Sequence, residues 1–187
     1  MRVVAGLHKG RQIKAVPGKS TRPTTDKVKE AIFQVIGPFF QGGNCLDLFA
    51  GSGSLGIEAI SRGMDSCIFI DKHPKAIHTI SENIKNLRLE ENSEVFRTDA
   101  YRALKASAKR GITFNLIFLD PPYGKANYTE LINEIEKHNL LNEEGVIYCE
   151  HDPNERFSFP IDNFDIMKQV NYGGTIGVTI LAKKNKS

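Results

Sequence analysis

Between residues 45 and 150 the chain alternates short apolar runs with stretches of helical periodicity. That alternation restricts the fold more than any other feature of the sequence. The runs Cys45–Leu48, Cys67–Ile70, Glu94–Arg97, Asn115–Leu119 and Val146–Glu150 are strand-sized. Leu55–Ser61, Pro74–Leu87, a segment after Asp99 reaching about Lys109, and Tyr128–His138 lie between them with helical character. In the second of these, Ile77, Ile80, Ile84 and Leu87 fall on one face. Repeated strand–helix units predict an α/β fold with a mostly parallel sheet covered by helices on both faces. Ligands then bind at the carboxyl ends of the strands.

The flanks differ from this middle. Val28, Ile32, Val35 and Ile36 recur at helical spacing after Pro23-Thr24, and Gly37-Pro38 ends the pattern. Beyond Val146–Glu150, a polar stretch with Pro153 and Pro160 leads to Phe164–Val170 and Thr175–Ala182. Asn171-Tyr172-Gly173-Gly174 joins these two runs and predicts an antiparallel hairpin at one sheet edge, making seven strands in all. Residues 1–30 hold eight Lys/Arg against Asp26 and Glu30, a net +6. The whole chain carries +3, so the remainder carries −3. Gly6, Gly10, Pro17 and Gly18 punctuate this basic start at turn-like intervals, which predicts a small folded β-hairpin arm. The expected division is a basic arm over 1–22 and one larger domain over 23–187. A basic arm on a slightly acidic body suits a polyanionic partner.

Composition excludes several classes. Apolar residues make up 40% and charged residues 25% of the chain, as in a globular protein. No run approaches the roughly 18 apolar residues of a membrane span, and the start lacks the apolar core of a signal peptide, so a cytoplasmic location is expected. Cys45, Cys67 and Cys149 are widely spaced within apolar runs and read as buried, reduced thiols. Neither they nor the five histidines show metal-ligand spacing, so no metal is expected.

The first apolar run enters Asp47-Leu48-Phe49-Ala50-Gly51-Ser52-Gly53-Ser54-Leu55-Gly56, a GxGxxG pattern between a strand and a helix. Such a loop lets backbone approach a ligand closely, and by itself it fits a dinucleotide as well as S-adenosylmethionine. A carboxylate at Asp47 would repel a pyrophosphate and attract an ammonium and a sulfonium. Asp71 ends the second run and is placed to accept ribose hydroxyls, or to cap the helix opening at Pro74. Asp99 ends the third run. It is placed to accept from an adenine amino group, with the Ala100 N–H reaching a ring nitrogen, or to cap the next helix.

Asp120-Pro121-Pro122-Tyr123 closes the fourth run and is the sharpest signal in the chain. The Asp120 carboxylate and the Pro121 carbonyl are two acceptors on a backbone that the prolines stiffen, and Tyr123 offers a flat face. That set suits an amino group on an aromatic ring, a poor nucleophile because its lone pair is delocalised. Two acceptors hold its two hydrogens and aim the lone pair at a methyl carbon for in-line displacement on sulfur. Asp120 would orient the amine, and the proton would either pass to Asp120 or be lost after methyl transfer. The base must be unpaired or flipped out, with Tyr123 stacked on it.

The ordered set Asp47-x-Phe49-x-Gly51-x-Gly53, Asp71, Asp99 and Asp120-Pro121-Pro122-Tyr123 resembles the motifs of Rossmann-like class I amino-methyltransferases. Arg2-Val3-Val4-Ala5-Gly6, Gly10-Arg11 and Thr21-Arg22-Pro23-Thr24-x-Asp26-Lys27-Val28-Lys29-Glu30-Ala31 narrow the likeness. With Tyr172-Gly173, they resemble the bacterial 16S ribosomal RNA guanine-N2-methyltransferase family that modifies guanine 966. The resemblance implies S-adenosylmethionine as cofactor, S-adenosylhomocysteine as product and 16S rRNA, in a small ribosomal subunit particle, as partner of a monomer. It implies a cofactor site of Thr24, Asp47, Phe49, Ala50, Gly51, Gly53, Asp71, Lys72, Asp99 and Ala100, with the segment around Thr21–Thr24 closing over it. RNA contacts are expected from Arg2, His8, Lys9, Arg11, Lys14, Arg22 and Lys27. The family usually carries Arg at the positions of Lys27 and Lys29.

Three other readings compete. The four-residue motif is shared with adenine-N6 DNA methyltransferases, but the 152–164 loop and the small arm leave little protein to read a duplex. A non-catalytic RNA-binding or assembly factor would show no cofactor binding. A nicotinamide oxidoreductase would leave Asp120-Pro121-Pro122-Tyr123 unexplained.

Overall fold

A computed structural model describes residues 1–18, 24–155 and 162–185. Helix α1 (Asp26–Ile36) is opened by Thr25, whose hydroxyl accepts from the Val28 N–H, and is closed at Gly37. Four strand–helix repeats and a fifth strand follow: β1 (Asn44–Asp47), α2 (Ser54–Ser61), β2 (Ser66–Asp71), α3 (Pro74–Leu87), β3 (Ser93–Arg97), α4 (Ala100–Lys109), β4 (Phe114–Leu119), α5 (Tyr128–Lys137) and β5 (Leu141–His151). A short 3₁₀ turn, Glu90–Asn92, lies between α3 and β3. Then β6 (Phe164–Tyr172) and β7 (Ile176–Lys183) form the expected hairpin. The sheet has seven strands in the order β3-β2-β1-β4-β5-β7-β6. Strands β1 to β5 are parallel, whereas β7 runs antiparallel to both β5 and β6. Among the described residues no helix is long and apolar enough to cross a membrane.

Strand residues alternate between the two faces, as a period of two requires. Cys45, Cys67, Phe69, Leu116, Phe118 and Tyr148 pack beneath the first three helices. Leu46, Ile68, Ile70, Ile117, Leu119, Ile147 and Cys149 pack beneath α4 and α5. All three cysteines are buried and reduced.

Strand β5 begins five residues earlier than the apolar run suggests. Phe114 pairs with Leu141, and the register then jumps so that Leu116 pairs with Val146. The polar Asn142-Glu143-Glu144-Gly145 therefore lies in an irregular start of the strand that sequence periodicity does not mark.

The N-terminal arm folds back on itself. Val3 N–H donates to the Arg11 carbonyl at 2.9 Å, Gly10 N–H to the Val3 carbonyl at 2.8 Å and Ile13 N–H to the Met1 carbonyl at 2.9 Å, around an antiparallel bridge of Arg2 with Gln12. Val3 and Ile13 are buried in the same core as α1, α2 and α3. Glu58 on α2 anchors the arm. Its carboxylate accepts the Val4 N–H at 2.9 Å and the Ala5 N–H at 3.0 Å, pairs with Lys29 Nζ at 3.3 Å and takes Arg62 Nε at 2.9 Å. Lys29 Nζ also donates to the Arg2 carbonyl at 2.7 Å and to Ser54 Oγ at 3.1 Å. Burial lowers the Lys29 ammonium pKa, and the Glu58 carboxylate opposes that shift. Lys29 is thus a buried tie between α1, α2 and the arm, removed from any surface that could meet RNA.

Candidate active site

Four strand ends converge on one cavity, and an acid marks each. Asp47 ends β1, Asp71 ends β2, Asp99 follows β3 and Asp120 follows β4. The strand order reverses between β1 and β4, the switch point at which a doubly wound sheet opens a crevice. The cavity there has a volume of about 910 Å³. Of the expected cofactor residues, Thr24, Asp47, Phe49, Ala50, Gly51, Asp71, Lys72, Asp99 and Ala100 line it, as do Asp120, Pro121, Pro122 and Tyr123.

The glycine loop has a distinct job at each position. Gly53 is the α2 N-cap at φ 83°, in the left-handed region, and does not line the cavity. A Cβ on Gly56 would lie 2.5 Å from Phe69 Cε1 and 2.7 Å from Cys67 Sγ, so its absence lets α2 sit down on β2. Gly56 N–H also donates to Asp47 Oδ2 at 3.3 Å.

Asp47 is 1% exposed, and its second oxygen, Oδ1, is buried without a hydrogen-bond partner among the described residues. Burial pushes its carboxyl up to about 7. The charge of Asp71 adds to the shift, while the N–H groups of Gly56 and Phe49 oppose it. An orphaned buried acceptor in a cavity wall is costly unless a ligand donor meets it. Asp71 accepts Gly51 N–H on Oδ2 and His73 N–H on Oδ1, each at 2.9 Å, which leaves each oxygen a second lone pair for a ligand hydroxyl. His73, not Asp71, is the α3 N-cap. Asp99 does cap α4, accepting Arg102 N–H at 2.9 Å, and still lines the cavity. Ala100 is the first residue of α4, so its N–H has no intrahelical acceptor.

At the far end of the cavity, Tyr123 is 44% exposed and its hydroxyl donates to the Thr175 carbonyl at 3.3 Å, linking the loop after β4 to the β6–β7 turn. Burial, then the charges of Glu150 and Asp120, push the Tyr123 hydroxyl up to about 12. Sequence reasoning gave no role to Glu150, the acid at the end of β5. It is 7% exposed, lines the cavity and lies beside Asp120 across the β4–β5 pairing, within hydrogen-bonding reach of its carboxyl group. Burial, followed by this neighbour, raises the Asp120 carboxyl well above the usual carboxylate range. The sequence signal was present: Glu150 is the fifth acid to close an apolar run. The arm also reaches the site, for Met1, Ala15 and Val16 line the cavity.

Of the expected RNA-contacting residues, Arg2, His8, Lys9, Arg11, Lys14 and Lys27 stay outside the cavity wall. Arg2 pairs with Asp26 at 3.7 Å, Lys14 pairs with Glu82 at 3.5 Å and Arg11 Nη2 donates to the Asn86 carbonyl at 2.8 Å. Lys9 and Lys27 are exposed, and His8 is partly covered, its imidazole pKa lowered by burial and then by Arg11. Arg22, with residues 21–23 of the closing segment, lies outside the described residues. Among the described residues no cluster of His, Cys, Asp or Glu is placed to hold a metal ion.

The family model described as conserved hypothetical protein 95 matches residues 1–180. A Bacillus subtilis (strain 168) protein, YlbH, which carries a provisional rRNA methyltransferase name, is 50% identical over 184 residues, 98% of this chain and all of that one. The ribosomal RNA small subunit methyltransferase D of Escherichia coli (strain K12) is 33% identical over 150 residues, 80% of this chain and 74% of that one. A solved Escherichia coli structure, yhhF, provisionally described as a methyltransferase, superposes with a TM-score of 0.83 at 30% identity. It covers 100% of this chain and 99% of that one.

Proposed function

This chain belongs to the ribosomal RNA small subunit methyltransferase D family, and from that premise we propose that it methylates the exocyclic N2 of a guanine in 16S rRNA, using S-adenosylmethionine. The observation that carries the reading is the placement of Asp120-Pro121-Pro122-Tyr123 on the same cavity as the unpartnered Asp47 oxygen. When bound, the cofactor supplies an electrophilic methyl carbon on a sulfonium. The wall suits it: Asp47 Oδ1 would meet its ammonium, the free lone pairs of Asp71 would meet its ribose hydroxyls, and Asp99 with the Ala100 N–H would meet its adenine. Lys72, Phe49, Ala50, Gly51 and Thr24 complete that part of the wall, and Gly53 sets the turn that brings the loop there.

Asp120 and the Pro121 carbonyl hold the two amine hydrogens of the guanine, and Tyr123 stacks on its ring. Positioning and the negative environment of the forming ammonium then do most of the catalysis. The partner is the rRNA of a small ribosomal subunit particle. The Asp120→Ala variant separates these roles. We expect methyl transfer to be abolished while cofactor affinity, read by calorimetry, stays within about twofold, since Asp120 acts on the amine. A variant that turns over at the wild-type rate removes Asp120 from the mechanism.

A further inference from the structure

The β4–β5 register sets two acids side by side. Leu119 pairs with Cys149, so the next residues along these parallel strands are Asp120 and Glu150. Both side chains line the one cavity within hydrogen-bonding reach of each other, and two carboxyl groups bond in this way only when one carries a proton. Glu150 is fixed from behind: Tyr148 Oη donates to Glu150 Oε1 at 2.9 Å, and the Tyr128 hydroxyl donates to the Glu150 backbone carbonyl. Glu150 is therefore buried, held through both its side chain and its backbone, and set beside the acid assigned to the amine, although no reacting atom need touch it.

We propose that Glu150 is the positioning residue for Asp120: one proton shared between the two carboxyl groups fixes the rotation of the Asp120 carboxyl, and Glu150 takes that proton over when Asp120 receives one from the substrate amine. The inference rests on the amine-methylation reading above. As the N–C bond forms and the S–C bond breaks, the S–C electron pair stays on sulfur and the amine nitrogen becomes cationic. It releases one proton to the Asp120 oxygen facing the cavity. The proton formerly shared moves onto Glu150, so the pair holds two protons, and one then leaves to water. Nitrogen ends neutral and methylated, and the pair returns to one proton.

The surroundings favour retention of a proton. The charge of Asp47 from β1 acts on Asp120, the hydroxyls of Tyr123, Tyr128 and Tyr148 lie near both carboxyl groups, Asp152 and Glu155 beyond β5 face Tyr123, Tyr172 faces Tyr148, and Lys125 lines the same cavity. The raised Asp120 pKa agrees with this, burial being its first cause and Glu150 its second.

The test uses the full chain labelled with ¹³C at the aspartate carboxyl carbons, with the Asp120 signal assigned through Asp120→Asn. In the wild type the Asp120 midpoint should lie well above the ordinary aspartate range. In Glu150→Gln it should fall by at least about one pH unit, because a neutral amide replaces the second carboxyl. The same substitution should lower kcat about ten- to a hundredfold and move the acidic limb of the kcat profile to lower pH, with cofactor Kd within about twofold. Tyr148→Phe, a milder variant, should also lower the Asp120 midpoint, since loss of the hydroxyl draws the shared proton toward Glu150. A purely structural Glu150 would change melting temperature and leave the Asp120 midpoint in place. An unchanged midpoint in both variants overturns the proposal. The midpoint is read without RNA, so a shifted midpoint beside absent methyl transfer in the wild type would sink the methylation reading while leaving the carboxyl pair standing.

Discussion

Asp47 is a carboxyl group held where an apolar side chain would cost less. The Gly56 N–H reaches its Oδ2 at 3.3 Å, its Oδ1 is unpartnered among the described residues, and burial pushes its carboxyl up to about 7. Meeting a ligand ammonium favours the ionised form, so cofactor binding expels a proton from whatever fraction is protonated. Affinity should then rise with pH and level off above about 7, with Kd roughly tenfold tighter at pH 8 than at pH 6. Asp47→Asn should bind weakly and show no such slope. A flat wild-type profile in isothermal titration would detach Asp47 from the ammonium. The same scale shows what a sequence can reveal. Asp47, Asp71, Asp99 and Asp120 were legible because each closes an apolar run beside a turn. Glu150 closes one too, but its meaning comes from lying against Asp120, 30 positions earlier. Only the β4–β5 register creates that contact.

Helix boundaries were readable from local chemistry. Thr25, Asp99 and Asn127 cap α1, α4 and α5 with their side chains, and Pro74 opens α3. The irregular start of β5 was not, because its polar residues join the sheet only through the pairing of Leu141 with Phe114. The charged tie between helices was hidden for a related reason. Lys29 falls on the buried stripe of α1 with Ile32, Phe33 and Ile36, and Glu58 sits inside the wholly buried α2. Arg62 completes the tie, donating to Glu58, to the Pro38 carbonyl at 3.0 Å and to Glu30 at 2.9 Å, with its guanidinium 4.8 Å from the Phe33 ring centroid. Removing the central carboxylate takes a carboxylate partner from each of two buried cations and the acceptor from two arm N–H groups. Glu58→Ala should cost about 3–5 kcal/mol in urea unfolding. It should also speed hydrogen exchange at Val4 and Ala5 and weaken cofactor binding, since Met1, Ala15 and Val16 wall the cavity. A loss below about 1 kcal/mol with the arm amides still protected would show that the arm is held by its apolar contacts instead.

The whole molecule joins a basic arm to a sheet whose carboxyl edge holds the acids. The arm packs on α2, and Arg2, Arg11 and Lys14 project among partners that are themselves exposed. Exposed ion pairs are worth at most about 1 kcal/mol, so a phosphate can replace them. Arg11→Ala and Lys14→Ala should each weaken RNA binding and reduce the slope of log K against log salt by about 0.7 to 0.9. An unchanged slope would place the RNA elsewhere. The most decisive measurement joins the arm, the cavity and the Asp120 motif in one reaction: methyl transfer from radiolabelled S-adenosylmethionine to small ribosomal subunits lacking the modification, followed by nucleoside analysis. Label in N2-methylguanosine at a single 16S position is the expected result. Label in N6-methyladenosine, or transfer to DNA alone, would contradict it.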